Sequence, residues 1–302
     1  MTITTKLGHD PSNYWTYDGE TRTIDLTRGT GDPTQHVTLQ TTTNPIRVNP
    51  ATTALVIIDM QNYFLSPALR PPTNGANTLS AGQHAAANLL TNAIPGARAH
   101  GISVVWLNWG LSEEDLRTMP PAIVRTMGRY NAGATCADAN DMVRVKDPLV
   151  YRGLGEDLGS VTLEDGTVVK GGRVLMLDTW NAGLYGDLDE EYRSHAGGSR
   201  NADVVVYKDR MSGLWGSGTQ LERHLLERGI TTLLFAGVNT DQCVGSTLTD
   251  AFSKGYDCVL VRDGTATTSP AAASEAWEYN CTNSWGFVMT CEALSAGSQP
   301  PK

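Results

Sequence analysis

The chain has 302 residues, 40% hydrophobic and 18% charged, with 23 Lys and Arg against 32 Asp and Glu for a formal charge of -9. A chain this long buries about three quarters of its unfolded surface, so its core needs no disulfide or metal staples. The composition excludes disordered and collagen-like classes, no apolar run nears the roughly 20 residues of a membrane span, and no basic run offers a surface to nucleic acid or anionic lipid. The first fifteen residues lack the charged-then-apolar layout of a signal peptide. Five cysteines, Cys136, Cys243, Cys258, Cys281 and Cys291, form no Cys-x-x-Cys pair and are odd in number. That pattern argues against a disulfide scaffold and for a reducing compartment, hence a cytoplasmic protein without nucleic-acid or membrane partners.

Residues 1–50 are rich in Thr, Asp, Pro and Gly and show little periodicity, so they read as an extension that drapes over the body or packs against a neighbour. The main body, 51–302, opens with the continuous apolar run Ala54–Ile58, of strand length and patterned for burial on both faces. A helix follows from Thr78 to His100, kinked or restarted at Pro95 and stopped by Gly101, and then a second buried strand, 102–107. The stretch from about 109 to 200 carries Pro and Gly pairs and a hairpin-like piece at 160–170 centred on Asp165-Gly166; it reads as a long insertion with little regular core. Regular pattern returns with strand 204–207, helix 220–227, strand 231–236, helix 244–254, strand 258–261, helix 271–279 and strand 286–290. Alternating strands and helices with short connections give an α/β fold with a mostly parallel sheet. Ligands in such sheets bind beyond the carboxyl ends of the strands.

Three strand ends carry chemistry. Asp59 follows the first strand, Lys208 follows the strand at 204–207, and Cys243 lies past 231–236 at the start of a helix. Alone, each has a dull explanation: a turn-forming Asp, a solvated Lys, a small buried Cys. Together they suit nucleophilic attack on a carbonyl-like carbon. Only the thiolate attacks well, and both the helix start and the Lys208 charge favour an anion at Cys243. Asp59 can take the thiol proton and later hand it to a leaving amine. The turn Gly237–Cys243 can converge backbone amides on one point, as an oxyanion hole requires.

These residues resemble the isochorismatase-like cysteine hydrolases. The matching text is Ala54–Asn62 (ALVIIDMQN), Lys208 with Ser212-Gly213 behind it, and Gly237–Val244 (GVNTDQCV), followed by Thr247, Asp250-Ala251, Gly255-Tyr256 and Asp263. The resemblance implies a three-layer α/β/α architecture on a six-stranded sheet, the triad Asp59, Lys208 and Cys243, and a homo-oligomer. It also implies a cis peptide between Val238 and Asn239 that aims the Asn239 and Cys243 amides into the oxyanion hole.

Within that family the presence of Cys243 favours covalent C–N hydrolysis over vinyl-ether cleavage. The Asp-x-His metal motif of nicotinamidases is missing, since the second strand ends Trp106-Leu107-Asn108-Trp109-Gly110, and the six histidines form no ligand pair. No catalytic metal or other cofactor is expected. Asn108-Trp109, Thr179-Trp180-Asn181 and the 208–213 stretch resemble the ureidoacrylate amidohydrolase branch, where these positions line the pocket. Asn108 can donate to and accept from a ureido or carboxamide group, Trp109 and Trp180 can wall a flat small-molecule substrate, and Met211, Leu214 and Trp215 can shape the floor or pack in the core. Glu113 and Glu114 read as a solvated helix start. The expected activity is a metal-independent amidohydrolase. The alternatives are a vinyl-ether hydrolase that uses Asp59 as acid, and a catalytically idle binding protein.

Overall fold

Residues 4–48 form a sheet despite their patternless text. The computed structural model describes residues 4–70, 79–127, 153–197 and 202–299. β1 (Thr4–Asp10), β2 (Asn13–Asp18), β3 (Thr23–Asp25), β4 (Val37–Leu39) and β5 (Ile46–Val48) pair in the order β1-β2-β3-β5-β4. The last two strands alternate inward and outward residues, and Val37, Leu39, Ile46 and Val48 join Leu26 in the main core. At three residues each, they are too short for period-two alternation to stand out in the sequence. A buried polar clip fixes this sheet to the body: Arg28 Nη1 and Nη2 donate to both carboxylate oxygens of Asp257 at 2.7 and 2.8 Å, and Trp15 Nε1 donates to the same group at 2.9 Å. Thr38 also bridges to Ser298.

The central sheet begins with β6 (Thr53–Ile58), followed by α1 (Asn62–Leu65), α2 (Ala81–Asn88), α3 (Ile94–His100) and β7 (Ser103–Trp109). Ser80 caps α2 with a capping box closed by Gln83, so the helix starts after the expected Thr78, which lies outside the described residues. The anticipated break at Pro95 is a π turn over Leu89–Ala93, closed by the Ile94 amide donating to the Leu89 carbonyl just before the proline, which has no N–H; Gly101 stops the helix at φ 79°. In the 109–200 stretch lie α4 (Glu113–Thr118), α5 (Pro121–Met127), β8 (Ser160–Thr162), β9 (Val168–Lys170) and α6 (Asp187–His195). The hairpin stands at its Asp-Gly turn. Leu111, Leu154, Val161, Val174, Leu175 and Met176 are buried in the core, so this stretch contributes more to packing than its loop-like text suggests. The chain ends with β10 (Val204–Lys208), α7 (Gln220–Arg228), β11 (Thr232–Val238), α8 (Gly245–Ser253), β12 (Asp257–Ala266), α9 (Ala271–Asn280), β13 (Phe287–Met289) and α10 (Cys291–Ser295).

The six main strands are all parallel, in the order β10-β7-β6-β11-β12-β13. Alternate residues of β6 serve opposite layers. Leu55 and Ile57 pack with Leu89, Ile94 and the N-terminal sheet; Ala54, Val56 and Ile58 pack with Leu221, Leu225 and Leu248. The fold is therefore three-layer α/β/α. The chain runs outward from β6 through β7 to β10 and then returns to the other flank of β6 with β11. That reversal opens a crevice between the carboxyl ends of β6 and β11.

Candidate active site

Three residues meet at this crevice. Asp59 directly follows β6 and is fully buried, with its backbone in the left-handed region at φ 54°. Few non-glycine residues adopt that conformation, although Asp is among those that tolerate it. Here it ends the strand abruptly and turns the carboxylate inward. Lys208 is the last residue of β10, and its Nζ lies 2.9 Å from Asp59 Oδ2. The contact is a charge pair without an aligned hydrogen bond, because Asp59 Oδ2 has no hydrogen-bond partner of good geometry. Lys208 Nζ also donates to the Arg210 carbonyl at 3.2 Å. Cys243 lies in a π turn, Thr240–Val244, that leads into α8. The residue is 6% exposed, and its thiol is electrostatically coupled to Asp59 and contacts Met211 Sδ at 3.5 Å.

The electrostatics correct one expectation. Burial pushes the Cys243 thiol up to about 12, outweighing the Lys208 charge that pulls it down; the Asp59 charge adds to the rise. The resting sulfur is therefore a thiol and not the thiolate expected from the helix start. Asp59 is likewise pushed above the usual carboxylate range by burial, with Lys208 opposing. A buried acid of raised pKa beside a thiol is suited to moving a proton at the moment of attack.

The peptide between Val238 and Asn239 is cis. The Asn239 carbonyl accepts from the amides of Gln242 at 3.0 Å and Val244 at 3.1 Å, fixing the turn that carries Cys243. Gly237 lets this turn leave the sheet. Its φ is +110°, and a Cβ there would sit 2.0 Å from the Ile58 carbonyl oxygen. No larger residue fits where β11 crosses the end of β6.

The expected pocket residues separate. Asn108 is 3% exposed, at the carboxyl end of β7, and its amide oxygen is buried without a hydrogen bond. Trp180 is partly buried in a short 3-10 turn, Trp180–Ala182, and Met211 abuts the nucleophile candidate. Trp109 is 1% exposed, with its ring face covered by the Lys208 ammonium at 4.1 Å. That face is closed to a stacking substrate. Trp215 is half exposed, its indole donating to Asp209 and its ring beneath Arg210, while Leu214 is core. Glu113 and Glu114 form the acidic first turn of α4, capped by Ser112, and pair with Arg173 and Arg117. Cys258, Cys281 and Cys291 are buried with pKa values raised mainly by burial; Cys136 lies outside the described residues. Among the described residues, no group of three or more His, Cys, Asp or Glu could hold a metal ion.

Four polar residues that the sequence offers only as motif text hold the site together through bonds it does not reveal. Gln61 is fully buried: its Nε2 donates to the carbonyls of Trp109 (2.8 Å) and Ala182 (2.6 Å), and its Oε1 accepts from the Trp109 amide (3.0 Å). Asn181 accepts from the Leu175 amide and donates to the Gly171 and Arg173 carbonyls, while Asn62 Nδ2 donates to the Trp180 carbonyl. Thr247 Oγ1 donates to the Cys243 carbonyl at 2.7 Å and accepts from the Gly213 amide at 3.1 Å, tying the loop after Lys208 to the cysteine turn. The available signal was position: Gln61 and Asn62 directly follow Asp59, and Thr247 lies one helical turn beyond Cys243.

The family model described as the Isochorismatase domain matches residues 174–292. Ureidoacrylate amidohydrolase RutB of Methylobacterium radiotolerans is 28% identical over 265 residues, spanning 88% of this chain and 86% of that protein. The protein of the same name from Enterobacter sp. strain 638 is 29% identical, spanning 86% of this chain and 97% of its own length. Among solved structures, nicotinamidase PncA from Bacillus subtilis superposes with a TM-score of 0.51 at 22% identity, covering 78% of this chain and 98% of that one. A cysteine hydrolase from Pseudomonas syringae pv. phaseolicola gives 0.51 at 18% identity, covering 82% and 92%. With the domain match, relatives aligned along most of both chains and the shared three-layer fold, the chain is similar to the isochorismatase-like hydrolases.

Proposed function

We propose that this hydrolase opens the C–N bond of a small ureido, carbamoyl or carboxamide compound through a thioester on Cys243. The observation that carries the reading is the buried Lys208–Asp59 charge pair at 2.9 Å, with the Cys243 thiol coupled to the same carboxylate at a topological switch point. Asp59 takes the thiol proton as sulfur attacks the carbonyl carbon, and the carbonyl π electrons move to oxygen. The Asn239 and Cys243 amides receive that oxyanion. As it collapses, the C–N bond breaks and the proton on Asp59 passes to the leaving nitrogen. Water, deprotonated by Asp59, then cleaves the thioester, and the proton returns to sulfur. Lys208 keeps Asp59 ionised enough to begin the cycle.

Two points support a ureido or carboxamide group in particular. The unpaired amide oxygen of Asn108 is an acceptor suited to a substrate N–H, and the curated relatives are named for a ureido substrate. Trp180 and Met211 would line the acyl side.

The test is product release by wild-type and Cys243→Ala protein, assayed for ammonia and carbon dioxide against ureido acids, biuret, carboxamides and isochorismate. The reading expects turnover of a ureido or amide compound by the wild type and none by the variant, with an unchanged circular dichroism spectrum. An active Cys243→Ala protein would end it and point to acid-catalysed vinyl-ether cleavage by Asp59. Wild-type protein that binds such a compound and returns it unchanged would point to a binding role.

A further inference from the structure

Trp109 meets Asp59 and Lys208 with different groups and shares one buried cluster with Cys243. Its backbone amide is shared between Asp59 Oδ1 at 3.1 Å and Gln61 Oε1 at 3.0 Å. Its ring lies under Lys208 Nζ at 4.1 Å. The remaining group is the indole N–H, which is buried and completes no hydrogen bond of normal geometry. Buried indole donors nearly always find an acceptor, so this one needs an explanation. The Cys243 side chain lies in the same buried cluster as this indole, and the indole draws the sulfur's pKa downward against the effect of burial.

A protonated thiol is a poor acceptor, whereas a thiolate is a charged one. A donor left nearly idle by the thiol and engaged by the thiolate stabilises only the ionised form. That is the differential binding that lowers a barrier instead of tightening the ground state. Met211 Sδ, the other neighbour at 3.5 Å, is a thioether and has no proton to give.

We propose that the Trp109 indole N–H is a catalytic donor to the Cys243 thiolate, held in place by the Asp59 and Gln61 bonds to its own backbone. The proposal rests on Cys243 being the nucleophile. It gives Trp109 a role in ionising sulfur and none in recognising the substrate, so kcat should depend on it and KM should not.

The test uses two variants of the full chain. Trp109→Phe keeps an aromatic face for Lys208 and removes the N–H. Replacing Trp109 with 3-benzothienylalanine, which puts sulfur where the N–H was, preserves the indole shape as well. Iodoacetamide labelling of Cys243 is followed by peptide mass spectrometry between pH 6 and 10. Both variants should label about tenfold more slowly at a given pH, as expected for one pKa unit, with kcat reduced by a similar factor and KM unchanged. Wild-type labelling in the benzothienylalanine variant overturns the proposal, even if Trp109→Phe is slow, because slowness would then come from ring packing. Labelling needs no substrate, so a protein inactive on every amide would refute the proposed function and still decide the role of the indole.

Discussion

Replacing Lys208 with Met tests the electrostatic core of the site. The substitution keeps most of the side-chain volume and removes the charge 2.9 Å from Asp59 Oδ2, where both side chains are at most 1% exposed. At that distance, with an effective dielectric near 20, the attraction lost is about 6 kcal/mol. Relaxation and protonation of Asp59 recover part of it, and breaking one side of a buried pair costs roughly 3–5 kcal/mol. The cost should depend on pH with a definite sign. Burial already raises the Asp59 pKa in the folded protein, and without Lys208 it rises further. A carboxyl group whose folded pKa exceeds its unfolded value of about 3.9 stabilises fully below that value and loses the contribution as pH climbs through the folded pKa. Urea denaturation should therefore show Lys208→Met losing more stability at pH 8 than at pH 5. Adding Asp59→Asn should restore much of the loss, because the stranded charge is gone. Either a loss below about 1 kcal/mol at both pH values or a failure of Asp59→Asn to rescue would refute the reasoning.

Three further outcomes follow from the geometry. Gly237→Ala, with its Cβ forced to 2.0 Å from the Ile58 carbonyl oxygen at φ +110°, should cost about 4 kcal/mol or more, or yield no soluble protein, as measured by denaturation or by expression. Arg28→Ala strands the nearly buried Asp257, which keeps bonds from Trp15 and Thr232. The expected loss is therefore about 3 kcal/mol, and limited proteolysis should cut within the first forty residues faster than in the wild type. With its thiol pushed up to about 12, Cys243 should alkylate with a rate that climbs about tenfold per pH unit through pH 9; a plateau below pH 9 would show a thiol far more acidic than this site allows.

The central sheet was legible because strands covered on both faces must be apolar at every position, so runs such as Ala54–Ile58 stand out whatever follows them. The meeting of Asp59, Lys208 and Cys243 past the strand ends was legible for a similar reason, since topology fixes where the chain turns out of the sheet. The N-terminal sheet was not. Its inward residues come in pairs, Val37 with Leu39 and Ile46 with Val48, and they acquire meaning only once the body supplies a surface to cover. Gln61 and Asn181 stand in recognisable motifs, but what they bind was hidden for another reason. An amide side chain reads as surface until the backbone groups it satisfies are known, and these lie 48 and 121 residues away for Gln61. The thiol of Cys243 shows the limit of local rules. A helix start and a nearby lysine both argue for an anion, but the depth of burial, which no sequence window reports, outweighs them.

Gln61, Asn62 and Asn181 hold the wall of the crevice by carboxamide contacts to main-chain carbonyls and amides. None of these three side chains takes up or loses a proton at any pH where the protein would work. Acidity can therefore change the charge on Asp59 without reshaping the surface a substrate meets. The chemistry and its container answer to different variables, so a pH–rate profile of this protein should report the reacting groups alone.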